Sequence, residues 1–140
     1  MAQKLDKDEI ARFLEDVFPQ IHGDFVIDHV DAETSVMRLK TSERHLRPGG
    51  TVSGPSMFAL ADVVAYVAIL ARIGRESLTV TTHCSIDFMR KPAADADLIA
   101  TASLLKLGRS LAVIDVKLRS EGQADVVANA SLTYAIPPKR

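Results

Sequence analysis

A chain of 140 residues, 47% hydrophobic and 25% charged, has the make-up of an ordinary soluble globular protein and most simply forms one domain. A formal net charge of −1 argues against nucleic acid as a main partner. The single cysteine, Cys84, excludes an intrachain disulfide and a CxxC metal site, and no metal cluster or phosphate-binding loop is visible elsewhere. Residues 1–9 are polar and lack the apolar stretch of a signal peptide. The apolar run at 55–71 is too short for a membrane span and carries an aspartate midway. The expected setting is therefore cytoplasmic, with no membrane partner.

Residues 7–18 place Ile10, Phe13, Leu14, Val17 and Phe18 at helical spacing, opposite Asp8, Glu9, Arg12, Glu15 and Asp16. This predicts an amphipathic helix bounded by Pro19. Residues 25–30 and 34–39 read as two short strands around a hairpin-length turn, Asp31-Ala-Glu33. Residues 41–50 are polar, end in Pro-Gly-Gly and read as a loop.

The helix predicted over 55–72, closed by Gly74, differs in kind from the first. Between Pro48 and Ala71 only Asp62 carries a charge; its neighbours are Met57, Phe58, Leu60, Val63, Val64, Val67, Ile69, Leu70 and alanines. A helix apolar all round belongs in a core. A carboxylate there is costly unless hydrogen-bonded, paired or needed. Asp62 sits about two turns past Gly54-Pro55, too deep to cap the helix. It is either an aspartate satisfied within the core or a working group.

Beyond the helix the period changes to two, and residues 78–89, 98–107, 111–120 and 126–136 read as strands. Short turns at 106–110 and 121–125 join the last three into an antiparallel meander. Ala112, Ile114, Val116 and Leu118 alternate with Val113, Asp115, Lys117 and Arg119, so one face is wetter. That face is expected to keep Val113, Val127 and Leu132, enough to meet a second copy. The whole is an α+β protein: about six antiparallel strands curved round one long central helix, plus an N-terminal helix. Residues 1–22 form the N-terminal helix and lead-in, and 25–136 the core.

That element order, with a Gly-rich loop feeding an apolar helix, resembles the hot-dog fold. The segment His45-Leu-Arg-Pro-Gly-Gly-Thr-Val-Ser-Gly-Pro-Ser-Met-Phe-Ala-Leu-Ala-Asp62 resembles the acyl-CoA thioesterases of the phenylacetic-acid-degradation type. Their motif is roughly N-x-x-G-x-x-H-G-G followed by small and apolar residues and L-A-D. Ser85-Ile-Asp-Phe-Met-Arg-Lys-Pro92 and Leu105-Lys-Leu-Gly-Arg109 resemble their next strand and following hairpin. The resemblance implies an enzyme that cleaves an acyl-CoA thioester, with no cofactor beyond the coenzyme A of its substrate.

It also implies roles. Asp62 falls on the catalytic acid, acting as general base or nucleophile. Gly54 falls on the glycine whose N–H holds the thioester oxygen, and a helix start does offer unpaired donors at a positive dipole end. Thr81 falls near a residue that places the attacking water. A one-residue gap would make it Thr82, but the Ile86-Asp87-Phe88 register favours Thr81, on the face of His83, Ser85 and Asp87. The family's Asn and His are replaced by Arg47 and Ser53, and its second glycine by Pro55. Arg47 and Ser53 are expected to line the thioester pocket, and Met57, Phe58 and Tyr66 the acyl wall, with Tyr66 also within reach of Asp62 at i+4. His45, Thr82 and His83 are further lining candidates. Arg90, Lys91 and Arg109 are candidates for the phosphates of coenzyme A. Cys84, facing the core, is not expected to be a nucleophile. In the family, sites lie between subunits, so Gly54 of one chain would meet Asp62 and Thr81 of another, in a homodimer or a dimer-of-dimers homotetramer.

Two other readings are open. The missing Asn and His favour a non-catalytic acyl or aryl-CoA binding protein on the same fold. Hot-dog hydratases and dehydratases begin their site with H-x-P-G, which His45 partly matches, but their acidic partner would fall at Ala59.

Overall fold

The computed structural model describes residues 3–19, 23–93 and 95–138; the lead-in at 20–22, Ala94 and both chain ends lie outside the described residues. The first helix, α1 (Lys7–Val17), starts with a capping box. The Glu9 N–H donates to Asp6 Oδ1 at 2.8 Å, and the Asp6 N–H to Glu9 Oε1 at 3.1 Å. Ile10 and Leu14 bury its inner stripe. Strands β1 (Phe25–Val30) and β2 (Thr34–Leu39) form the expected hairpin. Its turn is tied by Asp31 Oδ1, which accepts from the N–H groups of Glu33 and Thr34. The loop predicted at 41–50 contains one 3-10 turn, Glu43–His45.

Helix α2 (Gly54–Ile73) is the axis of the molecule. Every residue from Leu60 to Ala71 is buried except Asp62, which is partly exposed. Its length and composition would suit a membrane span, but most of it is packed inside the protein. The sheet comes close because its inner face is small: Ala100, Ala102, Ala112, Ala128 and Ala130 are all fully buried. Larger side chains between them, Leu98, Ile114, Leu118 and Leu132, fill the gaps. Each such aliphatic side chain contributes about 1.5–3 kcal/mol by leaving water.

The remaining strands are β3 (Val80–Phe88), β4 (Leu98–Leu107), β5 (Leu111–Ser120) and β6 (Val126–Ala135). All pairings are antiparallel, in the order β1-β2-β4-β5-β6-β3. This is the hot-dog architecture: six strands round one long helix. The meander holds for β4 to β6, while β3 crosses to the far edge, beside β6. It begins at Val80 because Thr79 is still bonded back into a turn, its N–H donating to Glu76 O.

Two details of side-chain facing differ from the alternation read in the sequence. Leu132 and Val127 are buried, not on the outer face. Leu132 lies opposite Ile114 on the inner side, and the irregular register between Leu118 and Arg119 turns Val127 inward. In β3 a bulge at Thr82 resets parity. Thr81 is therefore on the inner side, the side of Cys84 and Ile86, and not on that of His83, Ser85 and Asp87.

Candidate active site

Asp62 is the one acidic side chain on the buried stretch of α2, and the sheet comes to meet it. Thr81, at the start of β3, donates its hydroxyl to Asp62 Oδ1 at 2.6 Å. Tyr134, paired with Thr81 across the β3–β6 ladder, donates to the same oxygen at 2.6 Å and to the Asp62 carbonyl oxygen at 2.7 Å. Both donors crowd one oxygen, and Oδ2 accepts nothing among the described residues. Burial first, and the Asp62 charge second, push the Tyr134 phenol above the ordinary tyrosine range. Tyr134 therefore stays protonated and donating.

Tyr134 is the residue that sequence reasoning missed. Its parity with Leu132 pointed to it only once Leu132 is placed on the inner face, where a buried phenol needs a hydrogen-bond partner. Tyr66 stacks on it, ring centroids 6.2 Å apart and planes 19° from parallel. The Tyr66 hydroxyl does not reach Asp62; it donates to Ser77 O at 3.1 Å. Cys84 is half-buried, and burial together with the Asp62 charge raises its thiol pKa, which keeps it a thiol. Asp62, Thr81, Tyr66 and Tyr134 open on a cavity of about 380 Å³, closed on one side by Val17 and Phe18 of the N-terminal segment.

Gly54 lies two turns earlier on α2, about 12 Å along the axis at 1.5 Å per residue, and opens on a different cavity of about 330 Å³. The two cavities share no lining residue. Ser53 caps the helix: its Oγ accepts from the Ser56 N–H at 3.2 Å and donates to Ser56 Oγ at 3.0 Å. Its hydroxyl is thus engaged in the cap, and it does not line this cavity. The Gly54 N–H has no acceptor among the described residues. Phe88 packs over Gly54; a Cβ there would stand 3.5 Å from the ring. Arg47, Met57, Arg90 and Lys91 line this cavity with Gly54.

The other expected lining residues fall elsewhere. His45 is buried and lines neither cavity. Its Nδ1 accepts from the Ser42 N–H at 2.9 Å, and its Nε2 is 3.6 Å from Asp24, which Arg44 also engages. Burial, then the Arg44 charge, lowers its pKa. Its carbonyl oxygen takes the Ser53 N–H at 2.8 Å, so His45 holds the entry to α2. Phe58 is 39% exposed on the outer side of α2, and His83 is exposed on β3. Thr82 is exposed in the bulge, its hydroxyl on Thr133 O. Arg109 sits beyond the C-terminal end of α2 with Lys4, Arg72 and Ile136, apart from Arg90 and Lys91.

The model of the thioesterase superfamily matches residues 49–127 of this chain. A crystal structure from a Silicibacter species, provisionally named a thioesterase, is 58% identical with a TM-score of 0.93, over 99% of this chain and 96% of that one. A point mutant of the phenylacetic acid degradation protein PaaI from Thermus thermophilus is 27% identical with a TM-score of 0.74, over 85% of this chain and 99% of that one. Acyl-coenzyme A thioesterase 13 of Homo sapiens is 24% identical over 83% of this chain and 82% of its own.

Proposed function

The chain belongs to the thioesterase superfamily, and on that footing we propose that it hydrolyses an acyl-CoA thioester to the free acid and coenzyme A, with Asp62 as the reacting carboxylate. The observation that carries this is the Asp62 cluster: a carboxylate on an otherwise buried helix, one oxygen held by two short hydrogen bonds and the other free at a cavity. The human relative's name supplies the acyl-CoA class.

The Thr81 hydroxyl spends its proton on Asp62 and can only accept from a bound water. A water that gives one proton to Asp62 Oδ2 and directs the other at Thr81 has its lone pair free for the thioester carbon. The oxyanion so formed needs a donor, and the Gly54 N–H at the positive end of α2 supplies one. Collapse expels the thiolate, which takes the proton back from Asp62 and leaves as coenzyme A thiol. Direct addition of Oδ2 to the carbonyl, giving an anhydride that water then opens, uses the same atoms.

Two separate cavities on one chain support a site shared between two copies. Strand β3 is an unpaired edge of the sheet, and its ends carry Val80 and Phe88, each more than half exposed. Such an edge invites a partner strand. An isologous antiparallel pairing brings the Phe88 end of one copy, with Gly54 beneath it, to the Val80–Thr81 end of the other. Arg47, Arg90 and Lys91 would then lie at the mouth, where a substrate with several phosphates needs cations. Arg47 and Lys91 pair with no carboxylate among the described residues.

The test is thiol release from short, medium, long and aryl acyl-CoAs. Wild type turns over at least one, and Asp62→Asn loses about 10³-fold or more in kcat. Binding without turnover on any thioester rejects hydrolysis and leaves the acyl-CoA binding protein.

A further inference from the structure

We propose that Tyr134 is a positioning residue of this site: its phenol, with the Thr81 hydroxyl, holds one Asp62 oxygen inward and presents the other to substrate. The inference rests on the hydrolase reading and adds a residue and an atomic assignment to it. The phenol bridges two acceptors of one residue, the main-chain oxygen and Oδ1 of Asp62, at 2.7 and 2.6 Å. A donor that spans the backbone and side chain of the same residue fixes the side-chain torsions that connect them. Thr81 alone sets no such constraint, because its single bond leaves the carboxylate free to swing about that contact.

The phenol is itself held. Tyr134 is only 3% exposed, stacks on Tyr66, and lies on β6 between β5 and β3, one rung from the end of both ladders, opposite Ala112 and Thr81. Tyr66 is anchored in turn on Ser77 O. The support runs from sheet to phenol to carboxylate, with no loop between. A rigid support of this kind matters because displacing a reacting group by about 1 Å costs about 10²-fold in rate. Proton exchange by the phenol is not part of the role; it donates to Asp62 throughout, and the raised pKa keeps it able to do so.

The role predicts a split between kinetic constants. Tyr134→Phe keeps the ring and its stack but removes the donor. Its kcat falls about 10- to 100-fold while KM moves less than about threefold. A second variant places 3,5-difluorotyrosine at 134, which keeps size and donor but has a more acidic phenol. Its kcat at neutral pH stays within about threefold of wild type, because the donor to Asp62 is kept. A phenylalanine variant with wild-type kcat, or a difluorotyrosine variant that loses as much as the phenylalanine variant, overturns the assignment of Tyr134 while the hydrolase reading stands. If wild type releases no thiol from any thioester, the reading falls and takes this assignment with it. If Tyr134→Phe does not fold, the 19F resonance of the fluorinated variant decides: it shifts when Asp62→Asn is added if the phenol is bonded to that carboxylate, and an unmoved resonance overturns the assignment.

Discussion

The two ends of the Gly54–Asp62 stretch of α2 are built differently. At Asp62 the chemistry is side chain, assembled from three elements: α2 gives the carboxylate, β3 the Thr81 hydroxyl, and β6 the Tyr134 phenol. It is closed on its inner oxygen and rigid. At Gly54 the chemistry is backbone: an unpaired N–H, a capping Ser53 with its hydroxyl engaged, and a rim of cations in a separate cavity. It is open and unfinished. One end resembles a completed half-site and the other a complement awaiting it. In the proposed mechanism the oxyanion donor and the base converge on one carbonyl, and a single chain leaves Gly54 and Asp62 in different cavities.

This contrast can be broken from either side. Asp62→Asn removes the reacting group and has the largest effect. Next comes Gly54→Pro. Ser53 already has the extended backbone that a following proline requires, at φ −72° and ψ 153°, and proline is well placed in the first turn of a helix. The variant loses the N–H and should lower kcat by about 10²-fold; because Pro55 disfavours helical backbone at 54, its fold is checked by circular dichroism first. Gly54→Ala is the matched control. Its Cβ meets Phe88 at an ordinary 3.5 Å and its N–H survives, so kcat falls less than about tenfold. Equal losses in the two variants would mean that space, not the donor, matters at 54.

Arg47 tests whether the open end holds substrate phosphate. Arg47→Ala should raise KM for acyl-CoA roughly tenfold, with a steeper loss at low salt and little change in kcat. An unchanged KM for a CoA thioester would remove Arg47 from the binding surface.

The smallest expected effect is on stability, at the entry to α2. Folded His45 is held below its ordinary pKa near 6.5 by burial, with Arg44 adding to it. Below about pH 6.5 the unfolded chain therefore binds a proton that the folded chain resists. Stability is lost as pH falls from that point through the folded value, and above it His45 contributes no slope. A thermal melt should drop by a few degrees between pH 7 and pH 5, and His45→Gln should flatten that drop. An equal drop in both proteins would assign the acid sensitivity to other groups.

Much of this was legible in the chain because its signals are local. The long apolar helix announced itself through one charge in a hydrophobic run, and the change from helical to alternating period marked the sheet. Gly74 closes the helix as cap chemistry predicts, while Ser53, expected in the thioester pocket, caps its start. The parts that were not legible depend on distant pairing. Tyr134 meets Asp62 only because β6 lies beside β3, 72 residues from the aspartate in the chain. Thr81 meets Asp62 from the face opposite to the one expected, since a bulge at Thr82 leaves no mark on the pattern. Arg109 shares a charge with Arg90 and Lys91 but not a place, and spacing alone does not reveal distance across a sheet.

A shared site makes one demand that no site within a single chain can meet. Chains carrying Asp62→Asn and chains carrying Gly54→Pro are each expected to be nearly inactive alone. They are co-expressed with different tags, purified through both, and their mass is checked by light scattering. In a two-fold dimer of the two variants, one site combines both substitutions and the other has neither. The doubly tagged dimer should recover about half of wild-type kcat per dimer, on the order of one intact site in two. Activity no higher than that of the separate variants would contradict the shared site and place Gly54 and Asp62 in service of the same chain.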